Sequence, residues 1–114
     1  MADCLFCKIV AGEIPAKIVM RSDDAIAFHD IDPGAPMHVL VIPTRHLAAV
    51  RDAGTADAPL LGRLLMFAAE VARELGLEAR GYRIVTNTGA DAGQSVDHLH
   101  FHVLGGRKMT WPPG

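Results

Sequence analysis

Six histidines occur in the 114-residue chain, and three of them, His98, His100 and His102, take alternate positions within Asp97-His98-Leu99-His100-Phe101-His102-Val103-Leu104. Leu99, Phe101 and Val103 lie between them, so the stretch reads as a strand with one face in the core and three imidazoles on the other. Residues two apart on a strand stand about 6.5 Å from each other. Neutral imidazole is a nucleophile and a base, imidazolium is an acid, the ordinary pKa lies near 6.5, and imidazole also binds metals. The row therefore suits either a catalytic site or a metal site, because a merely solvated face would more naturally carry Thr, Lys or Glu.

The loop before this stretch, Thr88-Gly89-Ala90-Asp91-Ala92-Gly93-Gln94-Ser95, supplies complementary chemistry. Gly89 and Gly93 let backbone amides approach a ligand, while Asn87, Gln94 and Ser95 add side-chain donors, a set suited to an oxyanion or phosphate. Cys4-Leu5-Phe6-Cys7 is a C-x-x-C pair. Such a pair can chelate zinc, exchange thiols, or simply be two buried cysteines. A redox pair is expected at the start of a helix that follows a strand, and no strand precedes this one. Zinc would need two more ligands, and His46 with one member of the row are the natural candidates. His38 opens an apolar strand, where a hydrogen-bonded structural role competes with a catalytic one. His29 ends a strand beside Asp30, and Asp30 is either a turn cap or an acceptor for sugar hydroxyls.

The elements that must position these residues follow from periodicity. Leu5, Phe6, Ile9 and Val10 predict a short helix over 4–11 that Gly12 ends. Ile18-Val19-Met20 and Ala25 to His29 predict a hairpin, and Asp30 to Pro36 is a loop broken by two prolines and a glycine. His38 to Ile42 is nearly continuous apolar sequence, so a central strand is expected there, closed by Pro43. Thr44 is placed to cap a short helix over 44–50. Pro59 suits the first turn of one long helix, with Leu61, Leu64, Leu65, Ala68, Val71, Ala72 and Leu75 as its apolar stripe and Gly76 as its stop. Tyr82 to Asn87 is the next strand. Strands joined by tight turns, with one long helix inserted, make an α+β domain on an antiparallel sheet.

Bulk properties narrow the class. Half the residues are hydrophobic and 21% are charged, as in a folded chain, and the length suits one domain over 1–114. A net charge of −2 without basic runs argues against nucleic acid and anionic membranes as partners. The longest apolar run, Leu64 to Ala69, is too short to span a membrane. The start of the chain lacks the pattern of a signal peptide, and two cysteines so close together do not staple a fold. A cytoplasmic setting is the expectation.

With these residues laid out, the chain resembles the histidine triad (HIT) family. The triad pattern is matched by His98-Leu99-His100-Phe101-His102-Val103-Leu104. Phe6, Ile9, Glu13-Ile14-Pro15-Ala16-Lys17, Ala27-Phe28-His29-Asp30-Ile31, His38 with Leu40-Val41-Ile42-Pro43, and Gly93-Gln94-Ser95-Val96 match in order. The ending Gly105-Gly106-Arg107, Met109 and Trp111-Pro112-Pro113-Gly114 resembles the Hint branch, the purine nucleoside phosphoramidases.

The resemblance implies a five-stranded antiparallel sheet with one long and one short helix, paired into a homodimer with a continuous sheet. It implies cleavage of purine nucleoside 5′-phosphoramidates, AMP or GMP joined to an amine, with His100 as nucleophile and a nucleotidyl-histidine intermediate. His102 would contact the phosphate, and His98 and His38 would orient and tune His100. Asn87, Gly93, Gln94 and Ser95 would hold the phosphate, with Ser95 helping to protonate the amine. Asp30 would accept from the ribose, and Leu5, Phe6, Ile9, Ile14, Phe28, His29 and Ile31 would wall the purine pocket. Other readings are hydrolysis of dinucleoside polyphosphates, a nucleotide-binding regulator with incidental catalysis, and a metal enzyme using all three triad residues as ligands.

Two features depart from the Hint branch. The Cys4/Cys7 pair is absent from many of its members, and its presence implies structural zinc on Cys4, Cys7, His46 and His98, with no cofactor required for catalysis. Asp97 stands where a neutral or aromatic residue is usual, but it faces away from the row, so little effect on the histidines is expected.

Overall fold

Cys4 caps the first helix, its Sγ accepting a hydrogen bond from the Cys7 N–H at 3.3 Å. The computed structural model describes residues 3–114. This helix, α1 (Leu5–Val10), buries Phe6 and Ile9, and the chain leaves it through Gly12 at φ +79°. Five strands follow: β1 (Ile18–Arg21), β2 (Ala25–His29), β3 (Met37–Pro43), β4 (Tyr82–Val85) and β5 (Phe101–Gly105). They form one sheet in the order β1-β2-β3-β5-β4, every neighbouring pair antiparallel. This is the α+β architecture expected from the sequence.

The two faces of the sheet carry separate apolar clusters. On one, Ala25, Ala27, Val39, Val41, Phe101 and Val103 pack under the long helix α2 (Ala58–Glu74). On the other, Ile26, Phe28, Leu40 and Ile42 pack against Phe6 and Ile9 of α1. Alternation along β2 and β3 feeds both clusters, which is why these strands read as continuous apolar runs. Gly76 ends α2 at φ +75°, with Leu77 N–H reaching the Ala72 carbonyl and Gly76 N–H that of Arg73, a Schellman closure.

The structure corrects four expectations. The stripe of α2 is rotated: Leu60 and Phe67 are buried with Leu64, Ala68, Val71 and Ala72, whereas Leu65 is 47% exposed. No helix forms over 44–50; the Thr44 hydroxyl donates to the Asp23 carbonyl (2.9 Å), tying Thr44 to the β1–β2 turn, and a 3-10 turn comes only at Val50–Asp52. β4 stops at Val85, and the Thr86 hydroxyl beyond it donates to the His100 carbonyl, which lies just before β5. The histidine strand begins at Phe101 instead of Asp97.

Candidate active site

Residues 98–100 leave the sheet ladder because their backbone groups are taken by other partners. Leu99 N–H donates to the Leu47 carbonyl (2.6 Å), the His98 carbonyl accepts from His100 Nδ1 (2.7 Å), and the His100 carbonyl accepts from Thr86 Oγ1 (2.9 Å). The alternation survives this: Leu99, Phe101 and Val103 enter the cluster under α2, while His98 and His100 meet Phe6 on the opposite side. The rings form an unbroken series. Centroid separations are 4.9 Å for His46–His98, 5.8 Å for His98–Phe6, 5.2 Å for Phe6–His100, 5.1 Å for His100–His102 and 5.1 Å for His102–His38. Five of the six histidines are thus brought together, with Phe6 inserted between two members of the triad.

Hydrogen bonds fix the proton on each ring. A carbonyl only accepts, so the bond from His100 to His98 holds the proton of a neutral His100 on Nδ1 and leaves a lone pair on Nε2. Nε2 of His100 has no hydrogen-bond partner among the described residues, and with the residue only 3% exposed it keeps at most a narrow contact with solvent. His38 is set the other way. Gly34 N–H donates to His38 Nδ1 (2.9 Å), which puts the His38 proton on Nε2; that atom faces His102 Nδ1 at 2.8 Å. His102 Nδ1 therefore accepts, and its remaining proton sits on Nε2, the outer nitrogen. The relay gives one imidazole with a free lone pair beside another with a free N–H.

Burial first, then His100 and His38 nearby, hold the His102 pKa down from 6.5 to about 4, against an upward pull from Asp30. His102 is thus a neutral donor at pH 7. Because the unfolded chain binds this proton at a higher pH than the folded one, the folded state loses stability as pH falls from 6.5 to about 4 and loses no more on this account below that. Urea melts across this range are expected to fall less steeply on the acid side in His102→Asn than in the wild type.

A second constellation lies at the other end of the row. Cys4, Cys7, His46 and His98 place four ligand atoms within 4.8 Å of one another. Sγ of Cys4 is 3.3 Å from His98 Nδ1, and Sγ of Cys7 is 3.3 Å from His46 Nδ1 and 3.6 Å from His98 Nδ1. Tetrahedral zinc, bonded at about 2.3 Å to sulfur and about 2.0–2.1 Å to nitrogen, sets its S···N edges at about 3.6 Å. The tautomer is also right: His98 Nε2 lies 3.0 Å from the Pro43 carbonyl, so the proton belongs there and the lone pair of Nδ1 faces the thiols. Burial, followed by the neighbouring Cys4, raises the Cys7 pKa, so a cation is needed to hold the Cys7 sulfur as a thiolate. Burial likewise lowers the His98 pKa, keeping it a neutral ligand. This group can hold a metal.

Asp30, His38 and His102 also bring three ligand-type atoms together, with Asp30 Oδ2 at 3.4 Å from His38 Nε2. Here the tautomer is wrong for a metal, because the Gly34 amide occupies Nδ1 of His38 and leaves Nε2 protonated. The cluster is a hydrogen-bond relay.

The other residues singled out from the sequence are distributed around the row. Gln94 spends its whole amide on the protein, donating to the Ala48 and Val96 carbonyls and accepting from Gly89 N–H, so it holds the loop together and offers no free donor. Asn87 donates to the Ala92 carbonyl (2.8 Å), and Ser95 is exposed. Gly89 and Gly93 both have positive φ, which only glycine adopts readily. Asp30 caps its own turn through Asp32 N–H (2.8 Å), and the neighbouring Ile31 is 100% exposed. Phe6, Ile9 and Phe28 are buried, Ile14 and His29 are half-buried, and Leu5 is exposed. Sequence reasoning missed Thr86, the Gly34 amide and the Pro43 carbonyl. The last two act through backbone atoms, which every residue carries.

Comparison with known proteins gives a consistent result. The family model described as the HIT domain matches residues 11–109, beginning after Cys4 and Cys7. A HIT-like protein of Synechocystis sp., described as uncharacterized, is 50% identical over 112 residues, 98% of this chain and 97% of that one. The crystal structure of a HIT family hydrolase from Legionella pneumophila superposes with a TM-score of 0.96 at 49% identity, covering 98% of this chain and 100% of that one. A histidine triad nucleotide-binding protein from Candida albicans gives 0.83 at 33% identity, covering 96% and 83% respectively.

Proposed function

The chain belongs to the HIT family, and we propose that it is a nucleotide hydrolase that cleaves the P–N bond of purine nucleoside 5′-phosphoramidates through a nucleotidyl-histidine. The observation that carries this reading is the bond from His100 Nδ1 to the His98 carbonyl, which leaves Nε2 as the free nucleophile. The names of the Legionella and Candida proteins, a hydrolase and a nucleotide-binding protein, support it.

In the first step His100 Nε2 forms a bond to the α-phosphorus while the P–N bond breaks, and the departing nitrogen takes a proton. The His102 Nε2–H and the exposed Ser95 hydroxyl are the donors at hand for phosphate oxygen and amine. In the second step water bonds to phosphorus, its proton returns to the group that protonated the amine, and the P–Nε2 bond breaks with its electron pair going back to Nε2, restoring His100 and giving a nucleoside monophosphate. Asn87, Gly93 and Ser95 are proposed to cradle the phosphate, Asp30 to take the ribose hydroxyls, and Ile31 with the Phe6, Ile9, Phe28 and His29 side to meet the purine.

Zinc is proposed as the metal of Cys4, Cys7, His46 and His98, where it would serve as a structural tie; the hydrolysis itself draws only on protein groups. A homodimer is also proposed. Leu65 and Met66 of α2 are 47% and 69% exposed, and β4 is an edge strand with one free side. Sedimentation equilibrium reads the mass directly, and a monomer at micromolar concentration would remove this part. No helix among the described residues is long and apolar enough to cross a membrane; a cytoplasmic setting is proposed, since a reducing compartment suits the two thiols.

Steady-state assays on adenosine 5′-phosphoramidate and a diadenosine polyphosphate test the reading. A higher kcat/KM on the phosphoramidate is expected. The reverse preference would reassign the substrate, and tight AMP binding without turnover on either would replace the enzyme by a regulator.

A further inference from the structure

Arg107 stands two residues beyond β5, on the tail that leaves the sheet through Gly105-Gly106. Its Nη2 donates to the Gly34 carbonyl across the molecule at 3.1 Å, and its Nη1 donates to the Lys108 carbonyl at 3.2 Å. Gly106, at φ +93°, packs so closely on the same loop that a Cβ there would lie 2.9 Å from Pro36 Cβ. The loop over 30–36 and the tail are therefore one packed unit, although neither belongs to a strand.

The loop needs such a tether. Pro33 and Pro36 bring no N–H, and residues 31–34 are exposed, so packing does little to fix them. Gly34 holds the middle of the loop by two bonds: its carbonyl accepts from Arg107, and its N–H donates to His38 Nδ1. The second of these, together with Asp30 Oδ2 at 3.4 Å from His38 Nε2, sets the direction of the His38–His102 relay, and of the two only the Gly34 amide engages Nδ1.

We propose that Arg107 is a positioning residue: by holding Gly34 it keeps the Gly34 amide on His38, and so keeps the exchangeable proton of His102 on its outward nitrogen. This rests on the reading of His102 as a donor to substrate, but its first consequence is a property of the free protein. Without the tether the Gly34 amide swings away, the proton of His38 divides between Nδ1 and Nε2, and that of His102 follows.

Long-range ¹H–¹⁵N spectra of the imidazoles in the substrate-free, metal-loaded protein test it. Wild type is expected to show His38 with an unprotonated Nδ1 and protonated Nε2. Arg107→Ala is expected to average the two nitrogens of His38, and to lower kcat/KM about fivefold, the order of one exposed hydrogen bond. Arg107→Lys, which restores one donor, should recover most of both effects. Arg83→Ala is the control, since Arg83 tethers the same tail through the Thr110 carbonyl (2.9 Å) without touching Gly34, and it should leave His38 as in the wild type. Unchanged His38 signals in Arg107→Ala, or an equal change in Arg83→Ala, would overturn the proposal. Loss of all hydrolysis in every form with the His38 shifts as expected would overturn the proposed function and leave the tether standing.

Discussion

His100→Ala is expected to lower kcat on a nucleoside phosphoramidate by about 10⁴-fold or more while nucleotide binding stays within an order of magnitude, because removal of a nucleophile erases the pathway and not merely one contact. Three imidazoles of similar type adjoin one another here, so the assignment needs a reason beyond proximity. Of these three, only His100 combines a proton fixed on one nitrogen by a carbonyl with a second nitrogen whose lone pair has no partner among the described residues. His98 turns Nε2 to the Pro43 carbonyl and Nδ1 to the two sulfurs, so it has no lone pair to offer phosphorus. His102 accepts from His38 through Nδ1 and keeps its proton on Nε2, which makes it a donor. His102→Ala should therefore cost less, about 10²-fold, the order of one proton-transfer or hydrogen-bonding group. Acid-stable trapping is not expected for a P–N linkage, so rapid quench into base followed by intact-mass measurement is the check. A mass increase of one nucleotidyl group in the wild type and none in His100→Ala is the expected pair of results. Substantial turnover in His100→Ala, or a larger loss in His102→Ala, would move the nucleophile.

How much of this was legible in the chain depends on which atoms carry the function. The alternation of His98, His100 and His102 with Leu99, Phe101 and Val103 was readable, because a period of two divides the faces whether or not the backbone is in a ladder. The start of the strand was not readable, since the 98–100 backbone is taken by Leu47, Thr86 and a histidine ring, which no local pattern announces. The direction of each imidazole was equally hidden, for the groups that fix it are the Pro43 carbonyl, the Gly34 amide and the His98 carbonyl. Gln94 shows the opposite error. Its amide reads as a spare donor in a phosphate-like loop, yet long-range contact with the Ala48 carbonyl consumes it. Spacing puts Leu65 on the buried stripe of α2, but the helix is turned slightly about its axis and buries Leu60 and Phe67 instead.

Chelation is the second experiment with a large expected effect. The protein is expected to bind one zinc per chain, and chelation at neutral pH should lower the melting temperature by more than about 10 °C, since structural zinc sites contribute several kcal/mol of folding free energy and each kcal/mol moves a domain of this size by roughly 4–8 °C. The size of the effect follows from what the four ligands join. Cys4 and Cys7 flank Phe6 at the start of the chain, His46 lies in the irregular segment after β3, and His98 lies just before β5, next but one to His100. These segments are far apart in sequence and belong to no common ladder, so a metal would close several long loops at once. Activity should fall with stability for a separate reason. The His98 carbonyl receives the His100 proton, and Phe6 stands edge-on to both rings, so release of His98 and α1 loosens the group that orients the nucleophile. Cys7→Ser should reproduce the loss of melting temperature and zinc content, whereas Cys4→Ser tests whether three ligands suffice. A protein that keeps its melting temperature and its hydrolysis after complete removal of metal would show that the cluster is only a buried polar contact between α1 and the triad. A protein that keeps its fold but loses hydrolysis would instead assign the metal to the orientation of His100 alone. The expectation here is that both are lost together, because the same His98 ring ties α1 to the core and its backbone carries the acceptor for the nucleophile.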